Sequence, residues 1–187
     1  MLALAITDLH VILPWTWCSK MKILVFLHGT LIMHSAGVGC SRQERVAQVE
    51  QNAPSVFEYK SYVPVGSALR KIRDWEAQGA KILYFSSHTD AFNIRKDQSV
   101  LDRFEFPGTE IYYRLTGESY KDVAQRVKPD VLIEDDCESI GGEIEMTYPH
   151  LDPSFKDKIK SVVIKEFEGI DHLPSDLGEL LMYEEGV

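Results

Sequence analysis

At 187 residues the chain can form one domain that buries roughly 70% of its unfolded surface, and its composition, 44% hydrophobic and 26% charged, is ordinary for a globular protein. Its 29 acidic residues outnumber 20 Lys and Arg, and the net charge of -9 argues against a broad nucleic-acid-binding surface. Cys18, Cys40 and Cys137 are far apart and show no CxxC or Cys/His spacing. That excludes a disulfide framework or a zinc knuckle and predicts reduced thiols in a cytoplasmic protein.

Residues 1–20 are apolar but lack the basic start and small-residue cleavage site of a signal peptide. Asp8, His10 and Pro14 interrupt the run, which is too short to span a membrane. It reads as an N-terminal extension, with Met21 the effective start of a single domain over 21–187. No membrane association is expected.

Met21-Lys22-Ile23-Leu24-Val25-Phe26-Leu27 is a nearly continuous apolar run and predicts a parallel strand covered on both faces. His28-Gly29-Thr30 then forms a turn at its carboxyl end, where open α/β sheets place their ligand sites. Residues 32–39 are glycine-rich and predict a hairpin-like flap. Gly37 and Gly39 have too little context to be a phosphate loop.

Ser41 and Glu44 fit a capping box that opens a helix to about Gln51. A second helix is expected over 65–78, with Leu69, Ile72 and Trp75 on one face and Gly79 at its end. A strand follows from Lys81 to Ser86, then a helix over 91–104, a short strand over 110–113 and a helix over 120–127. Val131-Leu132-Ile133 runs as a strand into Glu134-Asp135-Asp136. Three adjacent acids repel one another, so they suggest a bound cation or a cluster of donors. Asp136 could instead cap a turn of helix over 137–140. A last strand over 161–167 and a helix over 175–182 close the chain.

His34, His150 and His172 show no ligand spacing and read as surface residues; His88 is either a helix-entry residue or a ligand. Alternating strands and helices imply right-handed crossovers and a three-layer α/β/α sandwich around a parallel sheet of about five strands.

Phe26-Leu27-His28-Gly29-Thr30-Leu31, Ser86 at the end of a second strand, a later lysine and the strand ending in Glu134-Asp135-Asp136 form an ordered set. In that order the set resembles the haloacid-dehalogenase (HAD) superfamily of phosphohydrolases. The resemblance implies a Rossmannoid, HAD-like sheet and a magnesium-dependent phosphatase-like site. Gly29, Thr30 and Ser86, or Ser87 one residue on, would contact phosphate. Lys121, with Lys128 its rival, would neutralise charge, and Asp135 and Asp136, helped by Glu134, would hold Mg2+.

The family's first motif is Asp-x-Asp, whose first Asp attacks phosphorus. Here those positions are Phe26 and His28. Phenylalanine offers no nucleophile, so the aspartyl-phosphate route is closed on this alignment, whereas His28 can still move a proton. The stretch between the first two motifs is too short for a large cap, so a minimal cap or none is expected, with an open site. Two functions follow. One is a divergent phosphohydrolase using activated water; the other is a non-catalytic descendant, a pseudoenzyme, that binds a small phosphorylated molecule or a protein partner.

Overall fold

The computed structural model describes residues 20–184, so the expected extension lies outside the described residues apart from Lys20. In chain order the elements are β1 (Lys22–Phe26), β2 (Ile32–Met33), α1 (Arg42–Glu50), β3 (Val63–Pro64), α2 (Ala68–Ala77), β4 (Lys81–Phe85) and α3 (Ala91–Phe104), followed by β5 (Ile111–Tyr112), α4 (Tyr120–Val127), β6 (Val131–Asp135), α5 (Pro153–Lys156), β7 (Lys160–Ile164) and α6 (Leu177–Met182). Five strands form one sheet in the order β5-β4-β1-β6-β7. Every pairing in it is parallel. Among the described residues no helix is long and apolar enough to cross a membrane.

Period-two alternation along the strands divides the core into two layers. Ile23, Val25, Ile82, Tyr84 and Ile133 pack with Ile72 and Trp75 of α2 and with Val100 and Leu101 of α3. Leu24, Phe26, Leu83, Phe85 and Leu132 face the other way, onto Val123, Ala124 and Val127 of α4. The α/β/α sandwich follows from this division. The central strand β1 has β4 on one side and β6 on the other, so their carboxyl ends lie together.

Local chemistry fixes the element ends. Ser41 and Glu44 form the expected reciprocal capping box at α1. Helix α2 starts at Ala68 rather than residue 65, because Gly66 adopts φ +53 and Asp171 accepts from the Ser67 amide at 2.8 Å and from its hydroxyl at 2.7 Å. Asp90 caps α3 by accepting from the amides of Phe92 and Asn93. Strand β7 stops at Ile164, short of the expected 167, as Glu166 and Phe167 turn away and Phe167 takes φ +61.

The expected flap contains a strand, β2, which pairs antiparallel with β3. Two readings need correction. Residues 137–140 form a turn rather than a capped helix: Cys137 has φ +51 and its amide is held by Asp135, while Asp136 accepts from Glu166 N. His34 is buried, not a surface group, and sits against Tyr62 and Phe167. His150 and His172 are exposed as expected.

Candidate functional site

The carboxyl ends of β1, β4 and β6 open onto a cavity of about 220 Å³ whose walls include Phe26, His28, Gly29, Ser87, Tyr120, Asp135 and Glu166. Val49, Val56, Tyr59 and Tyr62, from the stretch between β1 and β4, line it as well. That stretch therefore acts as a small cap, and the site is less open than its length suggests. Apolar and aromatic groups dominate the wall, with a few polar ones converging on it, the usual make-up of a small-molecule site.

On the β4 side, three polar side chains form a chain. His28 Nδ1 lies 2.6 Å from Ser87 Oγ and Nε2 lies 3.0 Å from Asp97 Oδ1. Asp97 comes from the middle of α3 and is fully buried. Its other oxygen accepts the Ser86 hydroxyl at 2.6 Å. Burial works to raise the Asp97 carboxyl, but the neighbouring His28 charge and the hydrogen bonds from His28 and Ser86 hold it below its ordinary value. An ionised carboxylate accepts and cannot donate. Nε2 of His28 therefore carries a hydrogen, and whenever the ring is neutral Nδ1 is left to accept from Ser87.

His88 stands beside this chain, its ring centroid 4.8 Å from that of His28. Its Nε2 is buried without a hydrogen-bond partner, and burial pulls its pKa down to about 4. His28, His88 and Asp97 bring ligand atoms within 4.8 Å of one another. A cation held through His28 Nε2 would replace the His28–Asp97 hydrogen bond. Tyr59 and Tyr62 pack over both imidazoles: Tyr59 lies 4.3 Å from His88 and Tyr62 5.4 Å from His28 between ring centroids.

The acids on the β6 side divide by strand alternation. Asp135 faces the cavity, accepting the Thr30 hydroxyl at 2.7 Å and the Cys137 amide at 3.1 Å. Glu134 points to the opposite face and is saturated by the amides of Thr147 and Tyr148 at 2.7 and 2.8 Å. Asp136 pairs with Lys165 at 3.0 Å outside the cavity wall. The second acid on the wall is Glu166, just past β7, which accepts from Ser139 N and Oγ at 2.8 and 2.7 Å. Burial pushes Asp135 up to about 6, with the charges of Glu134 and Asp136 adding to it, and Glu166 up to about 7, with those of Asp135 and Asp136 adding to it.

Gly29 threads between these acids at φ +80, and a Cβ there would sit 2.8 Å from Asp135 Oδ2. Thr30 is fully buried, and its hydroxyl is committed to Asp135. Ser86 is likewise buried and committed to Asp97, so of the two serines it is Ser87 that reaches the cavity.

Neither lysine reaches the cavity. Lys121 extends to Asp152 at 3.4 Å, and Lys128 is the exposed C-cap at the far end of α4. Helical phase explains this, since successive residues turn by about 100°. Tyr120 is the residue of α4 that faces inward; its ring lies 5.3 Å from Phe26 and 5.4 Å from Phe85. Arg114 covers the outer side of Tyr120 at 4.0 Å and also reaches the Ser87 carbonyl.

Sequence reasoning missed Asp97, Glu166, Tyr120 and Arg114. For Asp97 a signal existed: it shares an i, i+3, i+4 stripe with Val100 and Leu101, and a carboxylate on an apolar helix face requires a partner.

No family model and no curated protein matches the sequence. Among solved structures, the class C acid phosphatase from Bacillus anthracis with tungstate bound aligns over 80% of this chain and 69% of its own, at 12% identity and a TM-score of 0.53. Another structure of that phosphatase aligns over 81% of this chain with the same TM-score, 0.53. A HAD family hydrolase from Deinococcus radiodurans R1, with bound phosphate and sodium, aligns over 79% of this chain and 92% of its own at 14% identity and a TM-score of 0.43. The fold is HAD-like. The cavity lies at the carboxyl ends of β1, β4 and β6, the part of an open α/β sheet where the topological rule places ligand sites.

Proposed function

We propose that the protein is a divergent HAD-like hydrolase that cleaves phosphate esters without an aspartyl-phosphate, the reaction's proton passing through His28. The observation that carries this reading is the seating of His28 on the cavity wall between Ser87 and Asp97. Phe26, which the resemblance sets where an attacking carboxylate would stand, has no nucleophilic atom and packs 4.4 Å from Phe85 between ring centroids. Proton transfer at His28 is then the chemistry left on that wall.

Mg2+ fits the same cavity. No Lys or Arg lines it among the described residues, so a phosphate group would meet Asp135, Glu145 and Glu166 uncompensated. Asp135 and Glu166 are the acids that would hold the cation, and their raised pKa values mark two carboxyls short of positive charge. When bound, Mg2+ would polarise the phosphoryl oxygens and offset their charge. A small phosphorylated molecule suits a cavity of about 220 Å³.

The test is phosphate release from phosphomonoesters, phosphodiesters and nucleotides with Mg2+ or Mn2+. Turnover is expected, reduced at least about 100-fold in both His28→Ala and Asp135→Asn. A purified, folded protein silent across that panel would sink the reading. The aromatic packing of Phe26 favours a second one, a non-catalytic descendant that binds a phosphorylated ligand. It predicts a rise in melting temperature with such a ligand and no chemistry.

A further inference from the structure

We propose that Ser87 is the attacking nucleophile of this site, activated by His28 and positioned through Asp97, so that the reaction passes through a covalent seryl intermediate. The inference rests on the hydrolase reading above and names its nucleophile. Direct activation of water by His28 needs a ring nitrogen free to meet that water. Neither is free, because Nδ1 is taken by Ser87 Oγ at 2.6 Å and Nε2 by Asp97 Oδ1 at 3.0 Å. The proton that His28 is placed to receive is therefore that of Ser87.

The arrangement meets the general requirement for an activated hydroxyl: a nucleophile within hydrogen-bond reach of a base, and the base oriented by a third group. Asp97 is itself fixed by Ser86 at 2.6 Å, so the imidazole is held from behind. Ser86 is excluded as the nucleophile because it is fully buried, donates to Asp97, and accepts from the His88 amide at 3.1 Å. Ser87 lines the cavity. Phe26 and Tyr120 line the same cavity, with their rings 5.3 Å apart between centroids.

The steps balance without a further reactant besides water. Ser87 Oγ forms a bond to phosphorus as its proton moves to His28 Nδ1, and the bond from phosphorus to the departing alcohol oxygen breaks. That oxygen takes the proton from Nδ1. Water then gives a proton to Nδ1 while its oxygen bonds to phosphorus, and Ser87 Oγ leaves and recovers the proton. Asp97 keeps the Nε2 hydrogen bond throughout and steadies the imidazolium that forms twice.

A fluorophosphonate probe tests this without knowledge of the natural substrate. Ser87 Oγ would bond to its phosphorus, fluoride would leave, and the serine proton would pass to His28. Intact-mass and peptide mass spectrometry of the full chain should find one adduct, on the peptide containing Ser87. The adduct should be absent in Ser87→Ala and should form at least about 100-fold more slowly in His28→Ala. Asp97→Asn, shown to be folded by its melting transition, should lower the maximal inactivation rate and leave the probe concentration for half-maximal rate unchanged. A role in folding alone would not split those constants.

Folded wild-type protein that carries no adduct on Ser87 would overturn the proposal. So would phosphate release at the wild-type rate by Ser87→Ala, which would leave the hydrolase reading standing. Labelling of Ser87 in a protein that turns over no phosphate ester would support the nucleophile and overturn the phosphate reading.

Discussion

The two sides of the cavity treat a buried carboxylate in opposite ways. On the β4 side, Asp97 is fully buried yet held below its ordinary pKa, because an imidazole and a hydroxyl donate to it. On the β6 side, Asp135 and Glu166 also accept hydrogen bonds, yet rise to about 6 and about 7. Their donors are hydroxyls and amides, which carry no charge, and their neighbours are other acids. Burial acts alike on both sides, so the sign of the shift is decided by whether a group able to carry positive charge shares the site. Asp97 finds its donors within the fold, whereas Asp135 and Glu166 are the pair that the proposed cation would relieve.

The sharpest way to break this contrast is by removing one acid from each side. Asp97→Ala strands His28 and Ser86 and should cost about 3–5 kcal/mol in urea unfolding. Glu166→Gln removes a charge that its surroundings oppose and should change stability by less than about 1 kcal/mol at neutral pH. Equal losses at the two sites would remove the distinction. Adding Mg2+ should raise the melting temperature of the wild type by a few degrees (about 1 kcal/mol) and do so much less in Asp135→Asn. No shift in the wild type would mean the acidic side does not take the metal.

Gly29→Ala probes the crowding between Asp135 and Glu166. It places a Cβ 2.8 Å from Asp135 Oδ2 at φ +80, and about 1–3 kcal/mol should be lost. The smallest effect concerns His34, a buried imidazole without the carboxylate that His28 enjoys. Burial, with the nearby Arg45 charge, holds its pKa below 6.5 in the folded protein. The unfolded chain therefore binds the proton first, and stability should be lost as pH falls below 6.5. Urea midpoints of wild type and His34→Gln should diverge on acidification by less than about 1 kcal/mol, with the variant holding up better.

What could be read from the chain in advance follows from the range of each interaction. The strands and helices announce themselves through apolar runs, the capping residue Ser41, and Gly79 after α2, because those signals act over a few residues. Phe26 and Asp135 end the neighbouring strands β1 and β6, in keeping with the HAD-like sheet that the resemblance implied. Side-chain direction did not follow as easily. Three acids in a row cannot all face one site on a strand, so Glu134 is turned away, and one step along α4 exchanges Lys121 for Tyr120. The link from His28 to Asp97 joins residues 69 positions apart, and no local pattern specifies it.

The chain divides its labour in a way that invites exchange. The polar groups of the cavity sit on or just beyond the strands and α3, whereas Val49, Val56, Tyr59 and Tyr62 belong to one uninterrupted excursion between β1 and α2. On the hydrolase reading, this excursion would bear on selectivity while the reacting groups lie on other lengths of polypeptide. Grafting a different excursion between Met33 and Val63 would recast which molecules enter while leaving Ser87, His28 and Asp97 where the sheet and α3 put them.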